Sequence, residues 1–255
     1  HSMSEEDVKR ILAHPTTMVA SDGGIPSPGA GVPHPRNYGT FARVLGRFVA
    51  CLTGDASDPT VLTGGGYDEQ ETLDHGDETE RAFFHQYKLR LALLFGDDAG
   101  ALAHAAELEA RLEALTSMPL DPIARMYIAL ARLRAGDPSF ARATAKKLAA
   151  WAAHCPANYA HKRDLLEAEL AARRGKPDLA RALYDRAVKG AREHGFLQEE
   201  ALALTLSAAF YEREGSSLAP ILALDARRAW RQLGALAVLD VVGEAEAGPP
   251  LLPST

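Results

Sequence analysis

Cysteine is scarce in this chain of 255 residues: there are two, Cys51 and Cys155, and no CxxC pair. That excludes a disulfide framework or a thiolate-rich zinc knot, and the expectation is two free thiols. Long apolar runs are missing as well. No stretch approaches the eighteen or so residues that a membrane span needs, and no apolar signal region opens the chain, so cytoplasmic placement is expected. His1-Ser2-Met3 reads as an expression scar ahead of a native start at Met3. Positive charge is not in excess: 28 Lys and Arg stand against 34 Asp and Glu, a net charge of -6. Such a balance carries no electrostatic footprint for nucleic acid or an anionic membrane. Aromatic residues are only 7%, while alanine is abundant, as helix-on-helix packing prefers. Finally, no Gly-x-Ser-x-Gly, Walker, Rossmann or His-Glu-x-x-His pattern occurs, which leaves metal chemistry as the catalysis to be considered.

What is present is a beat. Phe95-Gly96-Asp97-Asp98, Ala135-Gly136-Asp137-Pro138, Arg174-Gly175-Lys176-Pro177 and Glu214-Gly215-Ser216-Ser217 place glycines 40, 39 and 40 residues apart. Each follows an Ala-, Leu-, Arg- and Glu-rich run that reads as helix, and another such run begins a few residues later. A period near forty made of two helical runs predicts an all-α, tetratricopeptide-like solenoid of helical hairpins, because one hairpin buries its apolar face only against the next. Tyr127, Trp151, Tyr184, Phe210, Tyr211 and Trp230, at helical spacing, are the expected fillers of the hairpin interfaces.

The N-terminal part reads differently. Ser4 to Ala13 predicts a short helix led by Glu5, Glu6 and Asp7. Thr17-Met18-Val19-Ala20 predicts a strand running into Ser21-Asp22-Gly23-Gly24, a turn that presents one carboxylate. Four prolines between Ile25 and Tyr38 demand an irregular loop, and Phe41, Val44, Leu45, Phe48 and Val49 predict a helix over 40–52. Gly54 lies close to one period before Gly96, so this helix can open the solenoid. Asp55 to Glu80, rich in Gly, Asp, Thr and Glu, reads as a linker, with helix resuming at about Arg81. The expected division is thus 1–47, 48–83 as junction helix and acidic linker, 84–240 as helical repeat, and 241–255 as a tail that Pro249, Pro250 and Pro253 keep from helix.

Two resemblances attach to these segments. Ala13-His14-Pro15, Met18-Val19-Ala20-Ser21-Asp22-Gly23 and the run His34 to Arg47 resemble the C-terminal part of the D-aminoacylases, members of the amidohydrolase superfamily. The resemblance implies that Asp22 serves a metal-bound water as ligand or base, with His34 in the loop that follows. The His-x-His pair that opens such a barrel is absent, and about forty-five residues are too few for a (β/α)8 barrel. Phe84 to Gly96, Cys155 to Lys162, Ala180 to Ala187 and His194 to Ala203 resemble the tetratricopeptide-like region that follows the ATPase module of large bacterial signalling kinases. That second resemblance implies paired helices and a scaffolding role, and it brings no catalytic residues. The chain thus reads as a chimera joined near Phe48.

Two functions of different class follow. The first is a hydrolase of activated esters or phosphotriesters, with Zn2+ held by His14, Asp22 and His34 and with His85, on a helix beneath that loop, as fourth contributor. Zinc catalysis takes about three protein ligands and one open position, where bound water falls to a pKa of about 7. Its partner is a small ester or triester, and dimerisation is the expected cover for apolar surface once buried in a barrel. The second is a non-catalytic interaction module using the solenoid surface. His154, Cys155 and His161 offer a further imidazole and thiolate group, read here as structural.

Overall fold

Ten α-helices, and no strands, make up the described residues of the computed structural model, which are 40–62, 64, 67–116 and 118–242. They are α1 (Thr40–Thr53), α2 (Glu69–His75), α3 (Glu78–Phe95), α4 (Asp98–Ala110), α5 (Leu120–Arg134), α6 (Ser139–Ala152), α7 (Pro156–Arg173), α8 (Pro177–Glu193), α9 (Leu197–Arg213) and α10 (Ala219–Leu233). Short 3-10 turns cover Leu112–Leu115 and Leu236–Asp240. The expected helix at 40–52 is α1. The expected helix before it, the strand and the Asp22 turn lie outside the described residues, as does 243–255.

The forty-residue beat is a backbone signal. Gly54, Gly96, Gly136, Gly175 and Gly215 all follow an odd-numbered helix with φ between +65° and +90°. A side chain there would strain the left-handed turn that stops the helix and returns its last carbonyls to the chain. After each of the last four, the chain reverses into the partner helix, giving the hairpins α3/α4, α5/α6, α7/α8 and α9/α10. The fold is an all-α solenoid of helical hairpins.

Consecutive hairpins share one continuous core. Trp230, Tyr127, Tyr184, Phe84 and Leu108 are among its fully buried side chains. The indole N–H of Trp230 donates to Thr205 Oγ1 at 3.0 Å, and the Tyr184 hydroxyl donates to the Glu169 carboxylate. Trp151 alone of the expected aromatic fillers is only half-buried, lying between Lys147 and Tyr159. Of the two free thiols, Cys51 is in the core and Cys155 is half-buried.

Curvature follows from which helices touch. The odd-numbered helices α3, α5, α7 and α9 pack on one another in succession as well as on their partners. They therefore form the inner row, and the even-numbered helices splay outside it. Near the inner row the ends of the solenoid meet: α1 packs on α3 and against Leu236–Asp240, and Gly54 lies beside Ala237.

The acidic second half of the stretch read as a linker, Asp68 to Glu80, is largely helix. Asp68 accepts from the backbone N–H groups of Gln70 and Glu71 and starts α2, while Asp77 and Glu80 form a reciprocal capping box that starts α3 at Glu78. Of the acids from Asp68 to Glu80, all but Asp74 are caps or first-turn residues, where carboxylates satisfy free N–H groups and complement the helix dipole. Glu69 also accepts from Leu62 N at 2.6 Å and from Lys88 Nζ at 2.9 Å, which ties the loop before α2 to α3.

Candidate functional site

The inner row presents both apolar side chains and buried polar ones. Leu93 and Leu94 of α3, Leu130 of α5, and Leu202 and Leu206 of α9 line a cavity of about 220 Å3, which Val238, Val241 and Val242 border from the C-terminal side. Val241 and Val242 also border a second cavity of about 590 Å3 between α9 and α10. The C-terminal turn is thus a strap laid along the inner face, with the Arg227 guanidinium donating to the Leu239 carbonyl.

Polar groups run along the same row. Arg90 is buried, with its guanidinium 4.8 Å from the Phe48 ring centre and 5.2 Å from that of Tyr127. Gln86, one turn earlier on α3, is fully buried, and among the described residues neither its amide nitrogen nor its oxygen has a hydrogen-bond partner. Tyr127 lines the smaller cavity, and its hydroxyl is raised in pKa chiefly by burial. Buried donors and acceptors without partners are uncommon in folded chains and costly.

On α7, Lys162 is 2% exposed. Its ammonium lies 2.9 Å from His161 Nε2, 3.1 Å from the Asn158 carbonyl, 3.5 Å from Glu199 and 4.3 Å from the Phe196 ring centre. Burial, and then the neighbouring Lys162 charge, pushes the His161 imidazole down to about 3. Neutral His161 accepts a hydrogen bond from the Lys162 ammonium at Nε2. Burial also lowers Lys162, against which Glu199 acts to hold the charge.

Of the four predicted metal ligands, the structure describes His85 alone; His14, Asp22 and His34 lie outside the described residues. His85 is buried on α3, and its Nδ1 lies 3.0 Å from Nδ1 of His104 on α4. One imidazole of the pair donates and the other accepts, so both cannot be protonated at Nδ1 in this geometry. Burial first, then His104, pushes His85 down to about 4, and burial lowers His104 as well. Among the described residues, no three His, Cys, Asp or Glu side chains are grouped to hold a metal ion. His154 is exposed and Cys155 opens α7, while His161 is turned into the core beside Lys162.

Sequence reading missed Gln86, Arg90, Lys162 and Glu199. The one available signal was that α3 and α7 lack a clean apolar stripe: buried positions of α7 include His161, Lys162, Asp164 and Glu169. A helix enclosed on several sides has no solvent face to which its polar residues can be assigned.

The fold is that of a helical-hairpin solenoid. In sequence, part of the chain is similar to deacylases. It is 50% identical over 48 residues to an N-acyl-D-glutamate deacylase and 54% identical over 50 residues to a D-aminoacylase, both of Alcaligenes xylosoxydans xylosoxydans. These matches take in 19% and 20% of this chain but only 9% and 10% of the two enzymes, so the chain spans about a tenth of the curated relatives it matches. No family model matches the chain, and no solved structure matches it. Among the described residues, no helix is long and apolar enough to cross a membrane.

Proposed function

We propose that the chain is a non-catalytic interaction module whose inner face grips a peptide or a partner helix. The observation that carries this reading is the inner cavity: leucines from α3, α5 and α9 converge on it beside the strap and the buried Tyr127 hydroxyl. Apolar pockets on a curved row of helices, with a few polar groups at their walls, suit an amphipathic helix or extended peptide. The resemblance of residues 50–240 to the tetratricopeptide-like region of signalling kinases supports the same reading. Selection from a displayed peptide library is the test. Selected peptides should lose at least about tenfold in affinity for a Leu206→Asp variant whose helical circular dichroism is unchanged. If nothing is selected, or if the variant binds as well, the inner face is not the grip.

The similarity of a fifth of the chain to deacylases favours a second reading, a zinc-dependent hydrolase of activated esters or phosphotriesters. Asp22 would be ligand or base there, with His14, His34 and His85 as ligands and dimerisation covering the segment. His85 faces His104 through Nδ1, so it would bind through Nε2. The described residues alone do not make up a zinc site. Turnover of a nitrophenyl ester or triester that stops on chelation and returns with Zn2+ would support this reading; turnover undiminished in excess chelator, or none at all, would remove it.

A further inference from the structure

The outer face carries a different chemistry. Because the inner row packs while the even-numbered helices splay, α6 and α8 leave a groove between them whose floor is α7. It encloses about 400 Å3 and adjoins a second hollow of about 490 Å3, the two sharing Arg142, Leu170 and Arg174. Six cations line the pair: Arg142 and Lys146 from α6, Arg173 and Arg174 from the end of α7, Lys176 from the turn, and Arg186 from α8. Glu167 is the acid among the lining residues. The floor is apolar, made of Ala145, Leu170, Ala171 and Leu183, and Leu179 stands at the rim half exposed.

Arg186 reaches Asp164 at 3.2 Å, and Arg173 reaches Glu169 at 4.0 Å. Arg142, Lys146, Arg174 and Lys176 have no ion pair among the described residues. The repeat itself does not ask for this charge. One period on, the position of Lys146 holds Asp185 and then Asp225, and that of Arg174 holds Glu214; one period back, the position of Lys176 holds Asp137 and then Asp97. Arg181, which matches Arg142, is paired with Asp178 and Glu214. In a chain with a net charge of -6, one groove has gathered unpaired cations at positions where the same register elsewhere holds acids, uncharged residues such as Ala106, Ala135 and Ser216, or a paired arginine.

We infer that the groove between α6 and α8 docks an acidic peptide that places apolar side chains on the α7 floor. Carboxylates of such a peptide would meet the rim cations, and charge complementarity of this kind sets both partner choice and encounter rate. The leucine and alanine floor favours a peptide over a nucleic acid, whose recognition needs stacking faces or base-edge donors rather than aliphatic ones. The inference rests on the scaffold reading but uses a face the inner cavity does not share.

Fluorescence anisotropy with a labelled amphipathic helix of Leu and Glu tests it. Three controls accompany it: a Lys-for-Glu counterpart, a Ser-for-Leu counterpart and a short single-stranded DNA. The Leu-Glu probe should bind at least about tenfold tighter than any control, and more weakly as salt rises. Arg142→Glu with Arg174→Glu, and separately Leu179→Asp, should each reduce that binding about tenfold or more while thermal melting and any inner-face peptide binding stay unchanged. Loss confined to Leu206→Asp would concern the inner face instead. Equal binding of the Lys-for-Glu or Ser-for-Leu peptide, indifference to the charge reversal, or DNA binding as tight as the peptide would overturn the assignment.

Discussion

Acidification from pH 7 to pH 4 is expected to remove much of the folding free energy, and the loss should begin near pH 6.5, well above the carboxylate range. His85 and His161 are buried and neutral, with folded values pushed down to about 4 and about 3. In the unfolded chain both titrate at the ordinary histidine value near 6.5. Between the two values the unfolded chain holds protons that the folded chain refuses, so stability rises with pH across that window. It is present in full above about 6.5 and drains away as pH falls towards the folded values. Each buried imidazole then costs roughly 1.4 kcal/mol per pH unit, and two of them over two units cost about 5–6 kcal/mol, the low end of an ordinary domain's stability. The geometry explains why neither group can yield: a proton on His161 would sit 2.9 Å from an ammonium, and a second proton between His85 and His104 would break their 3.0 Å contact. Guanidinium unfolding at successive pH values measures the slope. His161→Gln should flatten it between pH 6.5 and 4 even if the variant starts out less stable, and an unchanged midpoint from pH 7 to pH 4.5 would refute the account.

The parts of this fold legible in the sequence are those that backbone geometry enforces. Gly136 and Gly175 stand where a left-handed residue must end an inner helix, and no other residue takes that conformation without strain, so the period survives as spacing. Helix α1 was legible for a related reason: Phe48 and Leu52 fall on one face of a single amphipathic turn pattern, and both are buried. The acidic stretch misled because composition does not distinguish a solvated run from Asp68 and Asp77 acting as caps, which depends on which N–H group each carboxylate faces. Pairings across helices left no trace. His85 and His104, or Lys162 and Glu199, meet only once hairpins are formed and stacked, and each looks alone like an ordinary surface residue. The same limit applies to the rim of the outer groove, whose cations belong to two hairpins. As for the metal set, spacing suggested His14, Asp22 and His34, while the structure speaks only to His85, which it pairs with another imidazole.

Removing the counter-ion of Lys162 is the second large effect. The Lys162 ammonium is enclosed, and the Glu199 carboxylate, 3.5 Å away with a side chain 12% exposed, is its anionic partner. Glu199→Gln would leave a buried charge held by one carbonyl, an imidazole and a ring face, and breaking such a pair from one side costs about 3–5 kcal/mol. Replacing both, as Glu199→Gln with Lys162→Met, should recover most of that loss, because an apolar side chain of similar length has no charge to leave stranded. A double-mutant cycle in guanidinium gives the coupling directly, and additive losses would show that the pair is not coupled. The two large effects are also linked. With Lys162 replaced by Met, the nearest cation no longer opposes protonation of His161, so the acid slope of that variant should be shallower than that of the parent chain while burial keeps it above zero. A slope unchanged by Lys162→Met would assign the lowered imidazole to burial alone, and α7 would then hold two independent buried groups rather than one coupled pair.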